Sequence, residues 1–270
     1  TKVSKKKYGQ LPAKEAEIIP WYQLCVDLIG PYKIPIKKYA KSKDIKKKFS
    51  TIWCVTMIDP ATSWFEMKQI PNKLATTVAQ AVEQTWLCRY PWPKKITYDK
   101  GSEFMAEFGK MVVEEYGIVK RAITPRNPQA NSILERIHQV IGNMIKTFQI
   151  YDREDLEEQD PWSGILSAIM FGIRATYHTT LEATPSQLVF GRDAILPIQH
   201  QADWKYIQTK KQDLINLNNK RENKKRIPHD YQVGDMILIS RNKSKHGDRE
   251  KNGPYPIVQV NNNGTVRYDK

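Results

Sequence analysis

The fold prediction starts from Ile96-Thr97-Tyr98-Asp99-Lys100-Gly101-Ser102-Glu103-Phe104. Its first residues are β-branched or aromatic, which is typical of a buried strand, and Gly101-Ser102 indicates a turn directly after Asp99. Functional side chains often lie where a rigid strand passes into a loop. We therefore predict that Asp99 is a functional carboxylate at the end of a strand.

A second acidic residue, Glu135, lies in a helix that the spacing of apolar residues predicts clearly. The loop Thr124-Pro125-Arg126-Asn127-Pro128-Gln129-Ala130-Asn131 leads into a helix predicted from Ser132 to about Phe148. Asn131 and Glu135 are four residues apart and share one face, opposite the apolar stripe. An exposed glutamate on a helix is usually a solvated surface residue, but a nearby aspartate favours a catalytic role. The stripe comprises Ile133, Leu134, Ile137, Val140, Ile141, Met144, Ile145 and Phe148.

The third acidic residue is Asp27, which interrupts the apolar run Leu24–Ile29. An unpaired carboxylate inside such a run costs several kcal/mol, so a cation is expected beside it. The three carboxylates, with 71 residues between the first two and 35 between the last two, fit a site for hard divalent metals. Asp59 is a rival fourth ligand, although aspartate before proline is ordinary turn chemistry.

The composition points to a polyanionic partner. The 270 residues carry a formal net charge of +14, which suits nucleic acid but leaves ribosomal, chromatin and membrane-surface roles open. The three cysteines, Cys25, Cys54 and Cys88, lie in apolar segments and are expected to be buried, reduced thiols. No apolar run of about eighteen residues occurs, so we expect a soluble protein that meets no membrane.

The order of elements predicts a mixed α/β core. A flexible basic arm over residues 1–20 precedes a catalytic core over 21–200, in which five strands and their helices form a mixed sheet with helices on both faces. A basic linker helix is expected over 201–227. A small, truncated all-β barrel is expected over 228–270, with a hairpin turn at Asn262-Asn263-Gly264.

These motifs together carry a family resemblance. The chain resembles the integrase of a gypsy-type (Metaviridae) LTR retrotransposon, in the retroviral-integrase superfamily. The matching stretches are Cys25–Pro31, Tyr98–Phe104, Asn127–Arg136, Thr184-Pro185 with Leu188–Arg192, and Gly253-Pro254-Tyr255. The resemblance implies an RNase H-like core and a Src-homology-type barrel that contains the Gly-Pro-Tyr module. Family members begin with a His-His-Cys-Cys zinc domain, so the chain is expected to be a fragment.

The resemblance also implies a mechanism. Asp27, Asp99 and Glu135 would hold two Mg²⁺ ions, with Mn²⁺ as a substitute, for 3′-end processing and strand transfer of element cDNA. The DNA contacts implied or predicted are Asn131, Gln129, Arg126, His138, Lys146 and Lys100, although a hydrogen-bonded surface histidine is the commoner role for His138. Element ends and target DNA are the expected partners. The expected assembly is a tetramer or larger, in the nucleus after passage through cytoplasmic particles.

Two other functions stay open at this point. A catalytically silent or host-adopted DNA-binding protein would keep the basic surface without the chemistry, and its binding would fall steeply with salt. A stand-alone RNase H-like nuclease would hydrolyse DNA without joining it. The three intact carboxylates disfavour the first alternative, and the basic linker and barrel have no obvious place in the second.

Overall fold

The computed structural model describes residues 7–35, 49–99, 101–104, 107–123, 132–147, 163–240, 251–261 and 265–269. The chain divides into two compact units. The core unit is Glu17–Gln208, and the terminal unit combines Thr1–Ala16 with Thr209–Lys270. The range 21–200, predicted to be a catalytic core, lies within the core unit, and its catalytic role stays a prediction. The terminal unit joins the predicted arm to the C-terminal part of the chain.

The core unit contains the predicted mixed sheet of five strands. The strands are β2 Gln23–Pro35, β3 Phe49–Ile58, β4 Phe65–Ile70, β5 Lys95–Asp99 and β6 Val119–Ile123. Their order across the sheet is β4-β3-β2-β5-β6; β3 is antiparallel to both β2 and β4, whereas β5 runs parallel to both β2 and β6. A strand does end in Asp99, as predicted, and it lies between β2 and the edge strand β6.

Helices cover both faces of this sheet, which confirms the predicted layers. Because strand residues alternate between faces, Leu24 and Val26 of β2 join one apolar cluster and Cys25 and Ile29 join another. The first cluster includes residues of α1 and α2, and the second includes residues of α3 and α4. These helices are α1 Ala75–Val82, α2 Glu107–Lys110, α3 Ser132–Thr147 and α4 Ser163–Ala175.

Helices α1 and α2 do not end as regular α-helices. Each passes into a π-helical turn, Glu83–Leu87 after α1 and Met111–Glu115 after α2. In the first turn Thr85, Trp86 and Leu87 are all buried. Three consecutive buried positions do not fit the 3.6-residue period of an α-helix, and the wider turn accommodates them. The prediction of buried cysteines was wrong for Cys88, which follows this turn and is exposed.

The motif Thr184–Arg192 has a structural explanation. It forms the short helix α5, Pro185–Phe190, which begins with a capping box between Thr184 and Gln187 and ends at Gly191. Gly191 has a φ of 67°, a conformation that glycine adopts without steric cost. This part of the resemblance therefore marks a helix with defined ends.

A buried ion pair fixes α4 to the edge strand β4. Arg174 Nη2 lies 2.5 Å from Glu66 Oε2, Arg174 Nε donates to Phe65 O at 2.8 Å, and the guanidinium lies over the Trp64 ring. Tyr90 Oη also donates to Glu66. Glu66 is only 2% exposed, so its charge depends on these partners.

The terminal unit contains a second, smaller sheet. Its order is β10-β9-β8, all antiparallel, with β8 Met236–Ser240, β9 Lys251–Val260 and β10 Val266–Tyr268. The predicted barrel stays a prediction, because this sheet has three strands within the described residues. A separate two-stranded sheet pairs β1, Lys7–Tyr8, in parallel with β7, Arg226–Ile227.

A helix, α6, spans Trp204–Asn223 in the range predicted for a basic linker helix, and its role as a linker stays a prediction. Residues 204–208 of this helix belong to the core unit, and the rest belongs to the terminal unit. Among the described helices, α6 included, none combines the length and apolar character that a membrane span needs.

Candidate active site

Strand pairing brings Asp27 and Asp99 to the same face of the core sheet. In the parallel pair β2 and β5, Cys25 lies beside Thr97 and Val26 beside Tyr98. The next residues along the two strands are Asp27 and Asp99, and adjacent residues of a parallel pair project to the same side. Tyr98 and Val26 belong to the cluster on the opposite face. Both carboxylates therefore lie on the face that α3 and α4 cover.

Helix α3 brings Glu135 towards the same face. Leu134, Ile137, Ile141 and Ile145 are buried and pack in the apolar cluster that includes Cys25 and Ile29 of β2. Glu135 lies in the first turn of α3 and is exposed. The predicted separation of an apolar stripe from a polar glutamate is therefore confirmed for these residues. Val140 of the predicted stripe is 42% exposed, and Phe148 lies outside the described residues.

A fourth carboxylate belongs to this neighbourhood. Glu103 lies in the 3₁₀ turn Ser102–Phe104 that follows β5. A Cβ atom at Gly101 would lie 2.6–2.8 Å from the carboxyl group of Glu103, so a larger residue at position 101 would displace this side chain. The sequence analysis assigned no role to Glu103. Its position in the turn that follows Asp99 could have identified it as an acidic residue near the site.

Electrostatics links these four side chains. Burial raises the pKa of Asp27 to about 6, the N–H of Leu28 opposes the rise, and the negative charges of Asp99, Glu135 and Glu103 add to it. The Leu28 N–H donates to Asp27 Oδ1 at 2.8 Å. Like charges raise a carboxyl pKa only when they are close in space. The charges of Asp99, Glu135 and Glu103 therefore act on Asp27, and a shared metal site of Asp27, Asp99 and Glu135 stays a prediction.

Thr56 and His138 lie next to Asp27. The Thr56 hydroxyl donates to Asp27 O at 3.1 Å, and the same oxygen lies 2.9 Å from His138 Nε2. Because the hydroxyl has a single proton, His138 Nε2 must carry the hydrogen of this second bond. In the neutral ring Nδ1 then bears a lone pair, and it lies 4.0 Å from Asp27 Oδ2. Burial lowers the pKa of His138 to about 4, so this form holds at neutral pH.

The donor chemistry of the site suits Mg²⁺. Its carboxylate oxygens are the ligands that hard divalent cations take, and a bound cation would offset the mutual repulsion that raises the pKa of Asp27. Within the described ranges, no three histidine, cysteine or acidic side chains already form a ligand set for one ion. Joint coordination of a metal ion by Asp27, Asp99 and Glu135 therefore stays a prediction.

The remaining predicted site residues have different outcomes. Lys100, Arg126, Gln129 and Asn131 lie outside the described residues. Lys146 lies in α3, and its contact with DNA stays a prediction, as does that of His138.

The structural interpretation of Asp59 agrees with its contacts. Asp59 is fully buried and accepts hydrogen bonds from Ala61 N, Thr62 N, the Thr62 hydroxyl and Trp21 N. These bonds close the turn between β3 and β4 and fix the chain at Trp21 before β2. The residue has a structural role in the turn, as its position before proline indicated.

Comparison with known proteins bears on the resemblance. The retrovirus-related Pol polyprotein from transposon 412 of Drosophila melanogaster is 22% identical over 267 residues, which cover 90% of this chain and 20% of that protein. The Gag-Pol polyprotein of woolly monkey sarcoma virus is 22% identical over 227 residues, covering 78% and 13% respectively. The resemblance to the retroviral-integrase superfamily is confirmed. No protein-family model matches the chain.

A solved structure shares the fold over most of the chain. In the intasome of simian T-cell lymphotropic virus in complex with the PP2A regulatory subunit B56 gamma, one chain aligns with a TM-score of 0.57 at 11% identity. The alignment covers 95% of this chain and 75% of that one. The chain spans a fifth or less of the length of the polyprotein relatives it matches.

Proposed function

We propose that this chain is the integrase of an LTR retroelement, which processes the 3′ ends of element cDNA and joins them to target DNA. The observation that supports this proposal most is the parallel pairing of β2 with β5, which places Asp27 and Asp99 side by side on the face of the core sheet that α3 covers. Similarity to Pol polyproteins of a transposon and of retroviruses supports the same reaction class. The basic composition suits a DNA partner.

Asp27, Asp99 and Glu135 would hold the metal ions. When bound, such ions stabilise the entering and leaving oxygens of a phosphodiester and activate the attacking hydroxyl or water. The protein contributes a rigid frame for the ligands. Parallel pairing of β2 and β5 fixes the two aspartates side by side, and burial of one face of α3 fixes Glu135 at the start of that helix.

Thr56 and His138 support Asp27 in this proposal. The two hydrogen bonds around the Thr56 hydroxyl link β2, β3 and α3 beside Asp27. They restrict the movement of His138 and fix its tautomer. The nitrogen that faces Asp27 is consequently an acceptor and does not neutralise the carboxylate.

A joining assay tests the proposal. Oligonucleotides that carry the element's terminal repeat are incubated with target DNA and Mg²⁺ or Mn²⁺, and joined products are measured. We expect Asp27→Asn, Asp99→Asn and Glu135→Gln each to lower joining by about a hundredfold or more, because loss of groups that merely orient metal ligands already costs about 10–100-fold. Glu107→Gln on α2 and Asp213→Asn on α6 remove exposed charges elsewhere and should leave joining unchanged.

The outcomes separate the proposed function from its alternatives. Full joining activity in any one of the three site variants removes that residue from the site. Hydrolysis by the parent protein without joined products indicates a nuclease. Salt-sensitive DNA binding without either reaction indicates a catalytically silent DNA-binding protein.

A further inference from the structure

A line of amide side chains on α6 contacts the main chain of residues 9–16, which we name the strap. Asn223 Oδ1 accepts from Leu11 N at 2.8 Å, and Asn223 Nδ2 donates to Leu11 O at 3.4 Å. Asn219 Nδ2 donates to Pro12 O at 3.1 Å. Gln212 Nε2 donates to Lys14 O at 2.8 Å, and Gln212 Oε1 accepts from Ala16 N at 3.0 Å. The strap therefore runs antiparallel to the helix.

The three amides form a continuous site. Gln212, Asn219 and Asn223 are seven and four residues apart along the helix, so their side chains lie within about 40° of one another around it. We name them the amide stripe. Gln212 Nε2 is also 3.0 Å from Asn216 Oδ1, which orients the Gln212 side chain. Each amide can both donate and accept, which matches the two hydrogen-bonding groups of a peptide unit.

The strap is bound through its main chain alone in these contacts. Every strap atom in the five bonds is a backbone nitrogen or oxygen. Pro12, which has no N–H, lies where only its carbonyl is used. At the near end, Gly9 N donates to Ile227 O and Arg226 donates to Gly9 O. A Cβ atom at Gly9 would lie 2.9 Å from the Tyr231 ring, and its φ is 79°.

We propose that the amide stripe is a binding site for extended polypeptide main chain, with residues 9–16 of this chain as its ligand. The stripe and the strap together act as a latch that joins the chain before the core unit to the helix after it. The five hydrogen bonds of the latch use only main-chain atoms of the strap. The latch holds the strap to residues 212–223 of α6, within the terminal unit.

Residue-resolved hydrogen exchange of the full chain tests this proposal. We expect slow exchange of the Leu11 and Ala16 amides in the parent protein and exchange about tenfold faster or more in the Gln212→Leu/Asn223→Leu double variant. Asn218→Leu changes an exposed amide of the same helix and should leave both rates unchanged. Unchanged exchange in β3 shows that the core unit stays folded.

Proline substitutions in the strap provide an independent arm that leaves α6 intact. Ala16→Pro removes the N–H that binds Gln212 and should increase exchange at Leu11. Ala13→Pro alters an exposed residue whose N–H is absent from these contacts and should not. Equal exchange rates of the Leu11 and Ala16 amides in the parent and the double variant would overturn the proposed latch. An equal increase in Leu11 exchange in Ala16→Pro and Ala13→Pro would overturn it as well.

Discussion

Helices α3 and α6 have one stripe each at nearly the same spacing, with opposite chemistry. In α3 the stripe is Leu134, Ile137, Ile141 and Ile145, all buried in an apolar cluster. In α6 it is Gln212, Asn216, Asn219 and Asn223, three of which bind the strap. Burying a large aliphatic side chain contributes about 1.5–3 kcal/mol, whereas a net hydrogen bond contributes about 0.5–1.5 kcal/mol.

The same contrast separates the two units. The core unit has two apolar clusters on the faces of one sheet. In the described part of the terminal unit, Ile257 is the buried large apolar residue, and hydrogen bonds hold the strap to α6. The core unit thus provides the packed frame that a metal site requires.

The largest expected change in stability is at the buried ion pair between Arg174 and Glu66 in the core unit. Arg174→Ala leaves the Glu66 carboxylate buried without its cation, which should lower the free energy of unfolding by about 3–5 kcal/mol. Urea unfolding followed by tryptophan fluorescence measures the change. Arg136→Ala removes an exposed arginine of α3 and serves as the control. A loss below about 1 kcal/mol for Arg174→Ala would mean that the core unit does not depend on this pair.

A smaller effect is expected at Asp27, because burial of this carboxylate in the core unit lowers the stability of the folded protein when the group is charged. A carboxyl group whose pKa is raised on folding destabilises the protein progressively as the pH rises from its unfolded pKa to its folded pKa. The stability is therefore fully present below about pH 4 and is lost as the pH rises through about 6. Asp27→Asn should increase the free energy of unfolding by about 3 kcal/mol at pH 7.5 and by much less at pH 4.

Unfolding of the parent and Asp27→Asn proteins at both pH values, without divalent cations, measures this difference. Asp213→Asn, which changes an exposed aspartate of α6, should alter stability little at either pH. An Asp27→Asn protein that is equally stable with the parent at pH 7.5 would contradict the buried, charge-repelled environment of Asp27.

The parts of the fold that could be predicted are those with a clear period. The stripe of α3 and the β-branched residues of β5 identified both elements, and Asp27 was recognisable because a charge inside an apolar run needs a structural reason. Glu66 presented the same signal inside β4, between Phe65 and Met67, but its partner Arg174 lies more than a hundred residues later. Sequence spacing alone does not show such a pairing.

The latch could not be predicted by searching for apolar patterns. Gln212, Asn219 and Asn223 make α6 look like a solvated helix, because amides are normally exposed. Their spacing of seven and four residues does show that they share one face of the helix. The partner atoms remain hidden in the sequence, since backbone groups of residues 11–16 carry no side-chain signature.

The central claim is that Asp27, Asp99 and Glu135 form one cation site, and manganese binding tests it most directly. Electron paramagnetic resonance measures the free Mn²⁺ that remains when the ion is titrated into the protein. We predict that the parent binds Mn²⁺ and that Asp27→Asn, Asp99→Asn and Glu135→Gln each weaken binding about tenfold or more, whereas Glu107→Gln does not. Absence of binding by the parent, or equal binding by all four variants, would contradict the claim.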